Sequence, residues 1–320
     1  MIGFVDVIAL GAINWDINIW VDEFPHVGEE VPVKRVTRLP GGKAANVATA
    51  AARISEIRKV CLLGALGKDD IARTQIDVLG KEGVDTSQIK FVGGVESGQA
   101  YITIDRRGAN VIETLFGANH EFFPEDLLQS SRLSVIKECK VIAISDPLIP
   151  TAEKLAVLGN EHGATILYDG GTKLEAGPKK LKNVLSHTSI LVMNSTESYN
   201  LTKSTDPLEV RNKLKTSDID LGVIVKLGEK GCAYADRKDE KITLPALKLK
   251  ELGLMVINTV GCGDAFLGVF AASLAQGYSE IQSLERANTA GGLKAANSET
   301  RGSPCRGDLE KMLEVSRKRN

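Results

Sequence analysis

Residues 141–169, VIAISDPLIPTAEKLAVLGNEHGATILYD, decide the fold. VIAIS (141–145) and TILYD (165–169) are short apolar runs with the length of buried strands. Between them, 151–162 carries the apolar spacing of an amphipathic helix. Strand, helix and strand within about thirty residues make a crossover unit, and such a unit lays its strands parallel in one sheet. The rhythm continues on both sides. A helix near 125–137 precedes this stretch. A helix near 178–186 leads to SILVMN (189–194), and one at about 206–215 leads to GVIVKLG (222–228). Strands this apolar need cover on both faces, so the expected fold class is α/β with a mainly parallel sheet between helical layers.

Upstream, FVDVIALGAI (4–13) reads as a buried strand ending in a Gly turn. INWDINIWVDEF is different, because it alternates and carries acidic groups, and the extended run at 31–39 contains Pro32 and leads to Pro40. Residues 98–115 form an expected β-hairpin with RRGAN as its turn. These half-buried strands suit a small sheet standing outside the main one. Ala44 to Ile54 is an Ala-rich helix, Lys59 to Leu66 a strand, and 69–82 a helix stopped by Gly83. CAYADRKDEKITLPA (232–246) is a short β excursion, and 281–296 and 307–318 are closing helices.

Composition narrows the class. The 320 residues are 43% hydrophobic and 25% charged, enough for a sizeable core, and the net charge of −1 with no basic stripe gives nucleic acid no electrostatic support. No apolar run approaches membrane-spanning length. The N-terminal residues carry Asp6 and no Lys or Arg, which reads as a strand and not a signal peptide. Five cysteines, far apart and without a CxxC pair, fit a reducing cytoplasm better than disulfides or zinc. The four histidines are isolated from one another.

The chemistry concentrates in LMVINTVGCGDAFLGVFAASLAQG, residues 254–277. Leu254 to Ile257 reads as a buried strand, and Phe266 to Leu274 as a helix closed near Gly277. GCGD, Gly261 to Asp264, lies between them. Glycines there let the backbone approach a ligand, and the helix start presents N–H groups and a dipole that favour an anion. Asp264 stands beside them. Peptide donors for an anion next to one carboxylate suit phosphoryl transfer to a hydroxyl. Taken alone, GxGD is also what an ordinary junction with a capping Asp looks like. It is neither a dinucleotide fingerprint, since Phe266 stands where a third Gly is needed, nor a Walker loop.

Other polar groups fall where ligands bind in parallel sheets, at strand carboxyl ends. Asn194 begins NSTE. With Glu197 it is either a metal–phosphate pair, since Mg²⁺ favours oxygen ligands, or a capping box. Lys226, Gly228 and Gly231 lie in VKLGEKG, which lets a base or phosphate rest on backbone or is simply a hairpin turn. Asn14, Asp16, Gly41, Gly42, Lys43 and Asn46 offer carboxylate, amide and ammonium groups able to satisfy the hydroxyls of a polyol; they are equally a solvated turn and a helix start.

Together these pieces resemble the ribokinase (PfkB) family of carbohydrate and nucleoside kinases. PGGKAANVA (40–48) is similar to the family's GG-x-x-x-N pattern, NTVGCGDAF (258–266) to its DTxGAGD pattern, NSTE to its NxxE motif and VKLGEKG (225–231) to its nucleotide-site turn. GAN (117–119) and AN (287–288) fall where such chains carry similar runs. The resemblance implies a Rossmann-like three-layer αβα domain (1–12, 40–97 and 116–320) with a β lid (13–39 and 98–115). It implies ATP as co-substrate, Mg²⁺, and a sugar or nucleoside as acceptor. By position, Asp264 would be the catalytic base and the backbone of Gly261, Cys262 and Gly263 the anion hole. Asn14, Asp16, Gly41, Gly42, Lys43 and Asn46 would hold the sugar. Asn194, Lys226, Gly228, Gly231 and Asn288 would line the nucleotide, and Glu197 would organise Mg²⁺. Within the same resemblance a sugar-phosphate acceptor, with Arg106 and Arg107 as candidate cations, ADP as donor, or a non-catalytic sensor stay open. A homodimer through the lid is expected.

Two departures carry expectations. The family's leading Asp is Asn258 here; that carboxylate helps bind a monovalent cation in ribokinase-like members, so weak or absent K⁺ activation is expected. A large rate increase on replacing Na⁺ by K⁺ would refute it. At the sugar site, where ribokinases carry Glu before Ser-Pro, this chain has Ser145-Asp146-Pro147, which leaves a pentose acceptor unassigned. Cys262, at a helix start, is expected to have a lowered thiol pKa.

Overall fold

The computed structural model describes residues 5–55 and 60–319. Along the chain, β1 (Val7–Gly11), β2 (Asn14–Trp20) and β3 (Arg35–Gly41) precede α1 (Lys43–Ile54). Then come β4 (Val60–Leu63), β5 (Ala65–Gly67), α2 (Asp70–Lys81), β6 (Lys90–Val92), β7 (Gly98–Ile104) and β8 (Asn110–Leu115). The regular alternation is α3 (Ser130–Glu138), β9 (Val141–Ser145), α4 (Ile149–Glu161), β10 (Thr165–Asp169), α5 (Lys182–Ser186), β11 (Ile190–Asn194), α6 (Ser195–Thr202), α7 (Pro207–Leu214) and β12 (Gly222–Lys226). The chain closes with β13 (Cys232–Ala235), β14 (Lys241–Leu244), α8 (Cys262–Ala275), α9 (Glu280–Ala295) and α10 (Arg306–Arg319).

The main sheet runs β14-β13-β12-β11-β10-β9-β1-β4. From β4 to β12 every pairing is parallel, and β13 and β14 add an antiparallel edge. Alternation of side chains along each strand divides the core into two layers. Val7, Ala9, Val141, Ala143, Leu167, Val192 and Ile224 pack with α1, α8 and α9 on one face. Ile8, Leu10, Ile142, Ile144, Ile166, Leu191 and Val225 pack with α3, α4, α5 and α7 on the other. This is the three-layer arrangement that the all-apolar strands demand. A second sheet, β3-β2-β7-β8, stands apart from it, with β2 and β7 parallel and its other two pairings antiparallel.

Several expectations are corrected. Leu254 to Ile257 is no strand. Met255, Val256 and Ile257 are 76%, 63% and 60% exposed, and the N–H of Ile257 donates to the Ala295 carbonyl, not to a sheet neighbour. A short apolar run carries no periodicity to separate a strand from a loop, and the sheet edge here belongs to β14. The expected helix at 125–137 is a 3₁₀ turn (Pro124–Leu128) followed by α3, interrupted at the extended Gln129. The helix at 178–186 shrinks to α5, and the strand expected from Lys59 to Leu66 divides at Gly64 into β4 and β5. Phe4 and Lys59, which began two expected strands, lie outside the described residues.

Candidate active site

The parallel strands end on one side of the sheet, and the polar residues that follow them converge there. Gly261 caps α8, and its φ of 85° is left-handed backbone that glycine adopts without strain. The Cys262 N–H already donates to Thr259 O at 3.2 Å, while the N–H groups of Gly261 and Gly263 have no acceptor among the described residues. Asp264 sits in that first turn. Its Oδ2 accepts a 2.8 Å hydrogen bond from Nδ2 of Asn46 on α1, 218 residues away in sequence. Burial raises the Asp264 pKa, with Asn46, Lys43 and Lys226 acting against it.

Asn46 is a hinge between two groups. Its Oδ1 accepts from Nε of Arg301 at 3.2 Å, and Nη2 of Arg301 donates to Gly41 O at 2.8 Å and to Gln75 Oε1 at 3.2 Å. Arg301 is buried, and its Nη1 has no partner among the described residues. The Asp16 carboxyl lies directly over Gly41, where a Cβ would fall inside it, so only glycine permits this approach. Burial pushes the Asp16 pKa up to about 7, against the opposing pull of Arg301 and with a further push from Asp264. Asn14 accepts from Asn119 through Oδ1 at 2.7 Å, and its backbone carbonyl accepts from Gln75. Gly42 is the cap of α1.

A second charge group flanks the α8 terminus. Nζ of Lys226 donates to Oδ2 of Asp169 at 2.7 Å, and a Cβ on Gly263 would come within 3.1 Å of that ammonium. Lys226 therefore ends β12 against the first turn of α8. Burial disfavours both charges, but the pair raises Lys226 and lowers Asp169. Lys43 lies 3.4 Å from Asp146 Oδ2; burial works against its charge, and Asp169, Asp146, Asp264 and Glu197 more than offset it. Asn194 and Glu197 make a reciprocal capping box at α6, each bond 2.8 Å. The Glu197 carboxyl also feels this site, since burial and then Asp169 raise its pKa. Gly228 and Gly231 close the β12–β13 hairpin, both at positive φ.

The structure thus gathers Asn14, Asp16, Gly41, Gly42, Lys43, Asn46, Lys226, Glu197 and the 261–264 turn around one set of strand ends. Asn288 is on α9 with its Nδ2 bound to Pro245 O at 2.7 Å, beside a groove of about 270 Å³ lined by Leu244, Pro245, Leu247 and Glu285. Arg106 and Arg107 are held in the exposed β7–β8 turn by Glu23 and Asp105. The Cys262 thiol pKa is raised, not lowered, because burial outweighs the nearby Lys294. Asp169, Arg301 and Gln75 were not singled out from sequence. Asp169 was legible by the strand-end rule that drew attention to Asn194; Arg301 and Gln75 carry no local signal.

No helix among the described residues is long and apolar enough to cross a membrane. Residues 5–305 match the model of the pfkB family carbohydrate kinases. The chain is 27% identical to a ribokinase of Haemophilus influenzae, covering 95% of this chain and 97% of that protein. It is 27% identical to an ATP-dependent ribose-1-phosphate kinase of Halopiger xanaduensis, covering 94% and 95%. Arabidopsis thaliana ribokinase, solved with ribose and ATP, superposes with a TM-score of 0.86 over 98% of this chain and 99% of that one at 23% identity, a likeness of fold. With strand ends, converging polar residues and matched length in agreement, the chain belongs to the pfkB family of carbohydrate kinases and is a sugar or nucleoside kinase.

Proposed function

We propose that this chain moves the γ-phosphoryl group of ATP to a hydroxyl of a sugar or nucleoside, with Asp264 as general base and the 261–264 backbone as the anion cradle. The observation that carries the reading is the 2.8 Å bond from Asn46 to Asp264, which ties the hydroxyl-binding residues to the cradle. Asn14, Asp16, Gly41, Gly42, Lys43 and Asn46 hold the acceptor. Asn194, Lys226, Gly228, Gly231 and Asn288 line the nucleotide, with the exposed Met255–Ile257 run as an apolar wall for its base. Relatives named ribokinase, deoxyribokinase and ribose-1-phosphate kinase support an acceptor built on a pentose.

In the reaction the acceptor O–H gives its proton to Asp264 as its oxygen bonds to the γ-phosphorus. The bond from that phosphorus to the bridging oxygen breaks, and ADP leaves with the electron pair. The raised pKa of Asp264 makes it a better proton acceptor than an exposed carboxylate. The Gly261 and Gly263 N–H groups and the Lys226 ammonium meet charge on the transferring group. Closure of the β3-β2-β7-β8 sheet over the acceptor excludes water.

The residues fit Mg²⁺. Asp169 and Glu197 bring two oxygen-donor carboxylates to these strand ends, the ligand type Mg²⁺ favours; burial and then Asp169 raise the pKa of Glu197, with Lys226 and Lys43 opposing that shift. Glu197, with Asp169, would hold the ion. When bound, Mg²⁺ neutralises charge on the nucleotide phosphates.

Acceptor binding should depend on pH through Asp16. A carboxyl with pKa raised to about 7 is protonated below that value and then offers one acceptor oxygen fewer to hydroxyls. KM for the acceptor should rise as pH falls below about 7, approaching tenfold per unit, and Asp16→Asn should flatten the profile. A KM constant from about pH 5.5 to 7.5 would contradict this role.

Asn258 is occupied in this structure: Nδ2 donates to Ser298 O at 2.9 Å and Oδ1 accepts from Val260 N at 2.9 Å. Those bonds support the expectation of weak K⁺ activation. A homodimer fits the face of the small sheet opposite Asp16, where Ile17, Ile19, Val36, Tyr101 and Val111 lie together partly exposed. Sedimentation as a monomer at micromolar concentration would remove that reading.

The test is acceptor-dependent release of ADP from ATP, or of AMP from ADP, across a panel of sugars, sugar phosphates and nucleosides, with Mg²⁺ present or chelated. Turnover with a pentose or nucleoside is expected. Ligand binding without any turnover would overturn the proposal in favour of a sensor. A sugar phosphate is the second reading; the Halopiger relative favours it, and Lys173, 3.9 Å from Asp146, is a cation on the acceptor side.

A further inference from the structure

Lys294, in the last turn of α9, has no exposed surface. Its ammonium donates to Asn258 O at 2.9 Å and to Asn297 O at 3.3 Å. No carboxylate lies within ion-pair distance of it among the described residues. A buried ammonium satisfied only by neutral carbonyl oxygens is an expensive arrangement, and a methionine or leucine would fill the same space without that cost.

The position of the charge accounts for it. Asn258 opens the turn that delivers Gly261 and the first N–H groups of α8. A Cβ on Gly261 would lie 3.5 Å from Cε of Lys294, so the lysine stem runs directly beneath the turn. The Asn297 carbonyl belongs to the loop facing it, whose Thr300 carbonyl also crowds Gly261. Burial lowers the Lys294 pKa, while Cys262, Asp264 and Glu299 oppose that shift. Nothing else in the mechanism uses this group.

We propose that Lys294 is a positioning residue, a built-in monovalent cation that draws the Asn258 and Asn297 carbonyls together and holds the 258–261 turn with its N–H groups aimed at the transferring phosphoryl group. Carbonyl oxygens bind K⁺ by the same charge–dipole attraction. A potassium or ammonium ion can therefore replace the side chain when it is shortened. The kinetic arm of this inference rests on the kinase reading; the structural arm does not.

The experiment compares wild type with Lys294→Met, which keeps the volume, and Lys294→Ala, which vacates it. In Lys294→Met, kcat should fall at least about tenfold while both KM values stay within about threefold, as loss of preorganised donors predicts. In Lys294→Ala, added KCl or NH₄Cl should restore much of the lost rate and choline chloride should not. Neither salt should change wild-type kcat by more than about twofold. Without substrates, amide hydrogen exchange across 258–264 should quicken in both variants. Wild-type kcat and exchange in Lys294→Met would overturn the inference, as would a wild type that needs added K⁺. If Lys294→Ala does not fold, the Met variant carries the comparison. A wild type inactive on every acceptor defeats the kinase reading alone, and the exchange data still decide the clamp.

Discussion

Asp264→Asn should fold normally and bind nucleotide normally while kcat falls by at least about a hundredfold, the lower range for loss of a general base. The two halves of this expectation come from the same property. Burial raises the Asp264 pKa, so at neutral pH its ionised form is a cost to the folded state. The sign follows from linkage: an acid whose folded pKa lies above its unfolded value loses stability as pH rises through that interval. A neutral amide escapes that loss and can still meet Asn46. Thermal denaturation should therefore show no destabilisation, and single-turnover kinetics should show the missing proton acceptor. A variant with near-wild-type rate would remove Asp264 from the role.

Lys226→Met should cost both stability and rate. The Lys226–Asp169 pair is largely buried at 2.7 Å, with side-chain exposures of 17% and 8%. Removing one partner strands a buried carboxylate, at a cost on the order of 3 kcal/mol, tempered because Lys43 also faces Asp169. The rate should fall by about a hundredfold, as for a lost charge-stabilising donor at a developing anion. The double variant Lys226→Met, Asp169→Asn separates the effects. It should recover most of the stability and none of the rate. The pH dependence follows from the shifts: depressed Asp169 contributes stability above the ordinary carboxylate range and loses it as pH falls through its lowered pKa, and raised Lys226 loses its share only as pH rises past the ordinary lysine range. The stability gap between wild type and Lys226→Met should thus be flat near neutrality and shrink in acid. Equal rates would take Lys226 out of the cradle.

The parallel strands were legible almost to the residue. VIAIS and TILYD are β9 and β10 without change, because a strand buried on both faces has few ways to be written. The exposed apolar run at 255–257 defeated the same rule, since burial is decided by neighbours that the local sequence does not name. The site divides the same way. GGKAAN and GCGD announce themselves through glycines and a carboxylate at helix starts, and the fold brings Asn46 to Asp264. Arg301 and Lys294 are ordinary cations in a polar C-terminal segment; only burial against Gly41 and Asn258 shows what they hold.

In the proposed complex one acceptor hydroxyl stands between Asp264 and the phosphate cradle while Asp16 grips the rest of the molecule. A crystal structure with the best acceptor from the panel and a non-hydrolysable ATP analogue tests it directly. A hydroxyl oxygen should lie within about 3 Å of an Asp264 carboxylate oxygen, another on Asp16, and the terminal phosphate at the Gly261 and Gly263 N–H groups. An acceptor seated away from Asp16 and Asp264, or a terminal phosphate turned from the α8 terminus, would contradict it.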